Sequence, residues 1–187
     1  MKIPYILLMK VGPYCGYSLD EIIKIKQEEE RQVGKFFWGY GGVFCRPHTI
    51  QSFVSFAKTS PIVLFTETKS KFNPEESNRF YSFSSDNSAW NPLDKNVLLV
   101  GNNGVPHFAI TAKNLRETKM DINLNDYISF TSMGMFPNTY QYLDDYFRYR
   151  VDKVCAVYSP ARDNNTKKMI RISYRADLVE PYSVFIK

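Results

Sequence analysis

Two adjoining stretches, Pro4-Tyr-Ile-Leu-Leu-Met-Lys-Val11 and Ser18-Leu-Asp-Glu-Ile-Ile-Lys-Ile-Lys-Gln-Glu-Glu-Glu-Arg-Gln-Val33 with Gly34 behind it, decide the fold class. The first carries apolar side chains at consecutive positions, the pattern of a strand covered on both faces and therefore central in its sheet. The second opens on a capping box: the Ser18 hydroxyl accepts from the amide three residues on, while Glu21 reaches back to the amide of Ser18. Gly34 supplies a left-handed stop. Between them Leu19, Ile22, Ile23 and Val33 face inward at helical spacing, with Lys24, Glu28 and Arg31 outward. Gly12, Pro13 and Gly16 separate strand from helix.

Outward from this unit, Lys35 to Cys45 is an aromatic segment punctured by Gly39, Gly41 and Gly42, which predicts a strand with a bulge or tight bend. Pro47 suits the first position of a second helix to about Ala57, with Ile50, Phe53, Val54 and Ala57 on one face. Ile62 to Thr68 and Arg79 to Ser84 read as strands, Phe72 to Asn78 and Ser84 to Asp94 as loops. Val97 to Val100 and His107 to Ala112 flank Gly101-Asn-Asn-Gly104, the grammar of a hairpin. Tyr127 to Thr131 is a predicted strand, Asn138 caps a third helix to about Arg148, and Val151 to Tyr158 is a strand. Met169 to Tyr174 and Leu178 to Ile186 are two closing strands paired near the Ala161 to Lys168 loop. Strands outnumber helices and short turns join several of them. The expected fold is one α+β domain over residues 1–187, with a mainly antiparallel, curved sheet or partial barrel and about three packed helices.

Composition narrows the function classes. The chain has 187 residues, 44% hydrophobic and 23% charged, enough for one full core. The early apolar run ends at Lys10, far short of the roughly 20 residues a membrane span needs, and no signal-peptide pattern is present. A cytosolic protein is expected. Cys15, Cys45 and Cys155 are odd in number and widely spaced, as reduced thiols are. With two histidines and no Cys-x-x-Cys or His-x-x-x-His pair, neither a metal nor a cofactor is expected. The net charge of +5 is C-terminal. From Tyr146 onward nine basic residues, including Arg148, Arg150, Lys153, Arg171 and Arg175, face four acidic ones, and the remainder is neutral.

Two places can carry function. In Gly34-Lys-Phe-Phe-Trp-Gly-Tyr-Gly-Gly42 the glycines admit a ligand or another backbone, and Trp38 and Tyr40 can stack on a base, with Lys35 beside them. The bland alternative is a strand whose aromatics fill the core. Neither a phosphate loop nor a dinucleotide fingerprint matches its spacing. The second place is the basic C-terminal third, where alternation puts Ile170, Ile172 and Tyr174 on one face and Arg171, Ser173 and Arg175 on the other. With Arg148 and Arg150 such a surface can neutralise phosphates; the alternatives are a solvated face or a surface for an acidic protein partner. Cys45-Arg46-Pro47-His48 enters a helix N-terminus, where Arg46 can hold an anion and Cys45 can be activated as a nucleophile, although no orienting partner is identifiable. His48-Thr-Ile and His107-Phe-Ala lack the second-position hydroxyl of a two-histidine phosphoesterase. Trp90, in a polar loop, either plugs the surface or awaits a partner.

The runs Tyr5 to Val11, Lys35-Phe-Phe-Trp-Gly-Tyr-Gly-Gly42 to Cys45 and Pro47, and Arg150-Val-Asp-Lys-Val-Cys155 resemble a scattered group of small uncharacterised bacterial and phage proteins, along the whole chain. The resemblance implies no activity and transfers no site residue. Richness in Lys, Asn, Ile, Tyr and Phe is similar to that of products of AT-rich phage genomes, which by analogy implies a role in blocking a host-defence component. The leading expectation is a non-enzymatic binding protein for a nucleotide or nucleic acid, through Lys35, Trp38, Tyr40, Arg46, Arg148, Arg150, Arg171 and Arg175. A protein-binding inhibitor or adaptor is the second, and a hydrolase or transferase using Cys45 or His48 the third.

Overall fold

The computed structural model describes residues 2–42, 45–69, 77–102, 107–133, 141–148, 152–160 and 167–187. It contains β1 (Tyr5–Val11), α1 (Leu19–Val33), β2 (Phe36–Gly41), α2 (Pro47–Ala57), β3 (Ile62–Glu67), β4 (Ser77–Arg79), β5 (Ser82–Ser84), β6 (Asn91–Pro92), β7 (Val100–Asn102), β8 (His107–Asn123), β9 (Tyr127–Ser129), α3 (Leu143–Arg148), β10 (Lys153–Tyr158) and β11 (Met169–Ile186).

The double-sided apolar pattern of β1 places it between β3, its parallel neighbour, and β10, which runs antiparallel. Leu7, Met9 and Val11 face one core, shared with Ile23, Trp38, Ile50, Phe53 and Phe65 from α1, α2, β2 and β3. Ile6 and Leu8 face a second, shared with Leu64, Tyr127, Leu143 and Ile172. The main sheet runs β2-β8-β11-β3-β1-β10-β9, with β5 also on β11 and β6 on β5, while β4 and β7 form a separate pair. Among the described residues every pairing except β1 with β3 is antiparallel. The mixed α+β class, three helices and mostly antiparallel sheet agree with the sequence reading. The sheet does not close into a barrel: β2 and β9 are its two ends.

α1 forms as its caps require. Ser18 Oγ accepts from the Glu21 amide at 3.3 Å, Glu21 Oε2 accepts from the Ser18 amide at 2.8 Å, and Gly34 ends the helix at φ 79°. α2 starts at Pro47, with Ile50, Phe53 and Ala57 buried.

Several local expectations are corrected. β2 pairs with β8 in unbroken register from Phe36 opposite Ala112 to Gly41 opposite His107, so Gly39 and Gly41 mark no bulge, and the expected bend falls just past the strand at Gly42, φ 92°. Gly39 instead makes room for Leu99, whose Cδ2 would lie 3.3 Å from an added Cβ. The expected hairpin around Gly101 separates, because β7 joins β4 while β8 joins β2 and β11. The Arg79 to Ser84 strand divides between two sheets as β4 and β5. The two closing strands are one, β11, which pairs along its length with β8 and is interrupted by register shifts. One shift lies between Ile172 and Tyr174 and changes their faces: Ile172 joins the second core and Tyr174 the first. The single face expected for Ile170, Ile172 and Tyr174 is therefore broken. Asn138, Gly104 and the 161–166 loop lie outside the described residues.

Candidate functional site

β1 and β3 run parallel, and where their carboxyl ends part, at Met9 to Gly12 and Thr68, a cavity of about 180 Å³ opens. Its walls come from segments far apart in sequence: Tyr14 and Tyr17 before α1, Lys26 on α1, Trp38 and Tyr40 on β2, the Leu98 to Val100 segment, His107 opening β8, and Lys153 opening β10. Backbone bonds fix its rim: the Thr68 amide donates to the Val11 carbonyl and the Lys10 amide to the Asp152 carbonyl, both at 2.7 Å, and Tyr14 and Tyr17 exchange amide-to-carbonyl bonds at 3.0 Å.

The aromatic wall belongs to the core as well as to the cavity. Trp38 is 8% exposed and lies 4.9 Å from Phe65, centroid to centroid. Tyr40, 9% exposed, packs on Phe108 at 5.6 Å, donates its hydroxyl to the Cys45 carbonyl at 2.8 Å and shares a 2.7 Å hydrogen bond with Ser183 Oγ. Burial raises the Tyr40 pKa well above that of an ordinary tyrosine.

Three lysines line this cavity, each with its pKa lowered first by burial. Lys26 is answered by the chain: Nζ donates to Glu29 Oε2 at 2.8 Å and to the Leu98 carbonyl at 2.7 Å. Glu29, whose pKa burial raises against the pull of Lys26, also accepts from the Phe37 and Leu98 amides. Lys10 has its lowered pKa partly restored by the charge of Asp152. Lys153 differs from both. It is 8% exposed, its ammonium stands 5.4 Å above the Tyr40 ring, and among the described residues nothing accepts a hydrogen bond from it. Asp152 and Cys45 oppose its desolvation by charge alone.

The residues singled out from sequence are only partly brought together. Trp38 and Tyr40 share the cavity. Lys35 lies at the other end of β2, 5.7 Å from the Phe37 ring, and donates to the Glu180 carbonyl at 3.5 Å. Arg46 is the exposed N-cap of α2 and makes no side-chain capping bond. Arg171 pairs with Asp121 at 2.8 Å. Arg175 stands opposite Leu64 and Arg116, half-buried, with Nε lacking a hydrogen-bond partner among the described residues. Arg148 ends α3, and Arg150 lies outside the described residues. Cys45 is buried, its Sγ 3.6 Å from the Lys153 carbonyl, whereas His48 is exposed on α2. Trp90 is capped by the Lys187 ammonium, 3.9 Å from its ring centroid. No group of three or more metal-ligating side chains and no helix long and apolar enough to cross a membrane occurs among the described residues.

Lys10, Lys26 and Lys153 as a set were not read from sequence. The available signal was a lysine inside an apolar strand, at Lys10 and again in Lys153-Val-Cys-Ala-Val157. No protein-family model, curated protein or solved structure matches the chain.

Proposed function

We propose that this chain is a binding protein for a small anion bearing a flat ring, of the nucleotide class, held in the cavity at the carboxyl ends of β1 and β3. One observation carries the reading: the Lys153 ammonium, 8% exposed and lining the cavity, has no hydrogen-bond acceptor among the described residues. A buried cation without an acceptor is costly, and a phosphate or carboxylate entering the cavity supplies the missing partner. Lys10 adds positive charge at the rim, and the Trp38 and Tyr40 wall suits a planar group. Lys26, tied to Glu29, completes the wall.

The nucleotide rather than the nucleic acid is the favoured member of the pair. Among the described residues Arg171 is engaged with Asp121, Lys168 with Asp144, and Arg175 stands opposite Leu64, so these cations are partly taken up within the chain. Among the described residues the exposed large apolar side chains, Phe56, Tyr81 and Met169, lie on three separate elements or connections.

Trp38 fluorescence in a Trp90→Phe background, titrated with AMP and GMP, tests the reading. Saturable quenching is expected, with affinity lowered at least about tenfold in Lys153→Met, since a charge-assisted hydrogen bond is worth about 1.5–3 kcal/mol. No response to either nucleotide up to millimolar concentration at low salt defeats it. An oligonucleotide that binds tighter than AMP, with a steep salt dependence, returns the function to nucleic acid.

A further inference from the structure

Behind the Tyr40 and Lys153 wall lie two thiols from opposite ends of the chain. Cys45, 8% exposed, precedes α2, and Cys155, 2% exposed, sits on β10; both belong to the core of Leu7, Phe53 and Tyr174, and Cys15 does not. Cys45 Sγ is 3.6 Å from the carbonyl of Lys153, two residues before Cys155 on the same strand. The neighbouring Cys155, together with the Lys153 charge, holds the Cys45 thiol below the usual range against its burial, while burial holds Cys155 above it. Two thiols of unequal acidity thus share one core, Cys45 reaching the backbone of the strand that carries Cys155, the division of labour found in reactive cysteine pairs. Cys45 also keeps a left-handed backbone, φ 52°, with its carbonyl anchored by the Tyr40 hydroxyl.

We propose that Cys45 and Cys155 are a peroxide-reactive dithiol whose disulfide resets the cavity wall through Tyr40 and Lys153. The Cys45 thiolate attacks one oxygen of hydrogen peroxide; the O–O bond breaks and hydroxide leaves, taking a proton to become water. The Cys155 thiol then attacks the sulfur of the Cys45 sulfenic acid: an S–S bond forms, the S–O bond breaks, and the hydroxyl departs with the Cys155 proton as a second water. The two sulfurs lose two electrons and the peroxide gains them. The bond removes the Cys45 thiol from the Lys153 carbonyl and pulls on the segment that anchors Tyr40. The effect on the cavity rests on the nucleotide reading above, whereas the bond itself does not.

The test uses the reduced wild-type chain, treated with hydrogen peroxide and mapped by non-reducing peptide mass spectrometry. The free-thiol count should fall from three to one, leaving Cys15, with a Cys45–Cys155 linked peptide that thiol reductant releases. Cys155→Ser should stop at a sulfenic acid on Cys45, trapped by dimedone. AMP affinity should fall at least about tenfold in the oxidised protein, as expected when a charge-assisted contact is displaced. Three thiols persisting under peroxide that oxidises free cysteine, or a bridge that includes Cys15, overturns the pair. A Cys45–Cys155 bridge with unchanged AMP affinity overturns the link to the cavity. If the reduced protein binds no AMP, the nucleotide reading fails while the peptide map still decides the disulfide. The wild-type map stands even if the serine variant does not fold.

Discussion

Glu29 Oε2 lies 2.8 Å from Lys26 Nζ, and the two side chains are 0% and 6% exposed. Through the Phe37 amide, the Leu98 amide and the Leu98 carbonyl the pair joins α1 to β2 and to the segment that walls the cavity. Its desolvation is offset by four hydrogen bonds, so its value lies in being complete.

Removing one member should therefore be severe. Glu29→Gln or Lys26→Met is expected to cost about 3–5 kcal/mol, the usual penalty for an uncompensated buried charge. Urea denaturation measures it. Lys26→Met with Glu29→Leu should recover part of the loss, the Phe37 and Leu98 amides remaining without an acceptor. Single variants costing less than about 1 kcal/mol, the level of a surface pair, would contradict this account.

Lys153→Met should do the opposite and stabilise the ligand-free chain by about 0.5–2 kcal/mol, the range seen when function is exchanged for stability. The sign follows from the lowered pKa. Below its folded value the ammonium is charged in both states and the folded chain carries the desolvation cost; the cost disappears as pH rises through that value toward the ordinary 10.5. Melting temperatures at neutral pH and near that ordinary value should show the advantage of the variant shrinking. A variant less stable than the parent at neutral pH would show that the Tyr40 contact outweighs desolvation.

Asp86 gives a second pH signature. Its carboxylate accepts from Ser84 Oγ at 3.0 Å, the Ser88 amide at 2.8 Å, Ser88 Oγ at 2.6 Å and the Ala89 amide at 3.2 Å. These bonds, led by the Ser88 hydroxyl, hold its pKa well below the usual aspartate value of 3.8. The stabilisation is complete above 3.8 and is lost as pH falls through the lower folded value. Asp86→Ala should thus be less stable than the parent at neutral pH, with the gap closing only in strong acid. Carboxyl NMR titration that places Asp86 at an ordinary value would exclude the effect.

Gly101→Ala tests a close approach. An added Cβ would lie 2.6 Å from His107 Cε1 and 2.9 Å from Phe80 Cε2. Overpacking of this kind costs about 1–3 kcal/mol. Because His107 lines the cavity, AMP titration of the variant should also change. Wild-type thermal stability in Gly101→Ala would mean that His107 swings aside freely.

The elements legible in sequence were those whose determinants are local. Ser18, Glu21 and Gly34 specify α1 by contacts within a few residues, Pro47 starts α2, and the apolar run of β1 carries its central position. What escaped depends on partners far along the chain. Lys26 and Glu29 look like solvated helix charges until Leu98 closes over them. The second half of β8, from Lys113 to Asn123, alternates weakly and is a strand because β11 pairs with it. Trp38 and Tyr40 were legible as functional candidates, but Lys153, which gives their cavity its charge, lies more than a hundred residues away, and Cys45 acquires its partner in Cys155 across a similar distance. The register shift after Ile172 is invisible to a period-two reading and puts Tyr174, Ala176 and Leu178 in the first core, whereas Ile172 lies in the second.

The place of β11 has a kinetic meaning. Among the described residues it alone joins the β2-β8 ladder to the β3-β1-β10-β9 ladder, and it follows all of these strands in sequence. A nascent chain can therefore assemble two partial sheets but cannot unite them until β11 emerges. Pairings as distant as Leu64 with Arg175 and Tyr5 with Val157 put this closure in the slow, millisecond-to-second class of non-local β assembly. Until then the facing edges of β8 and β3 are open to strands of other chains, which makes the interval before β11 inserts the stage at which this protein most needs protection from aggregation.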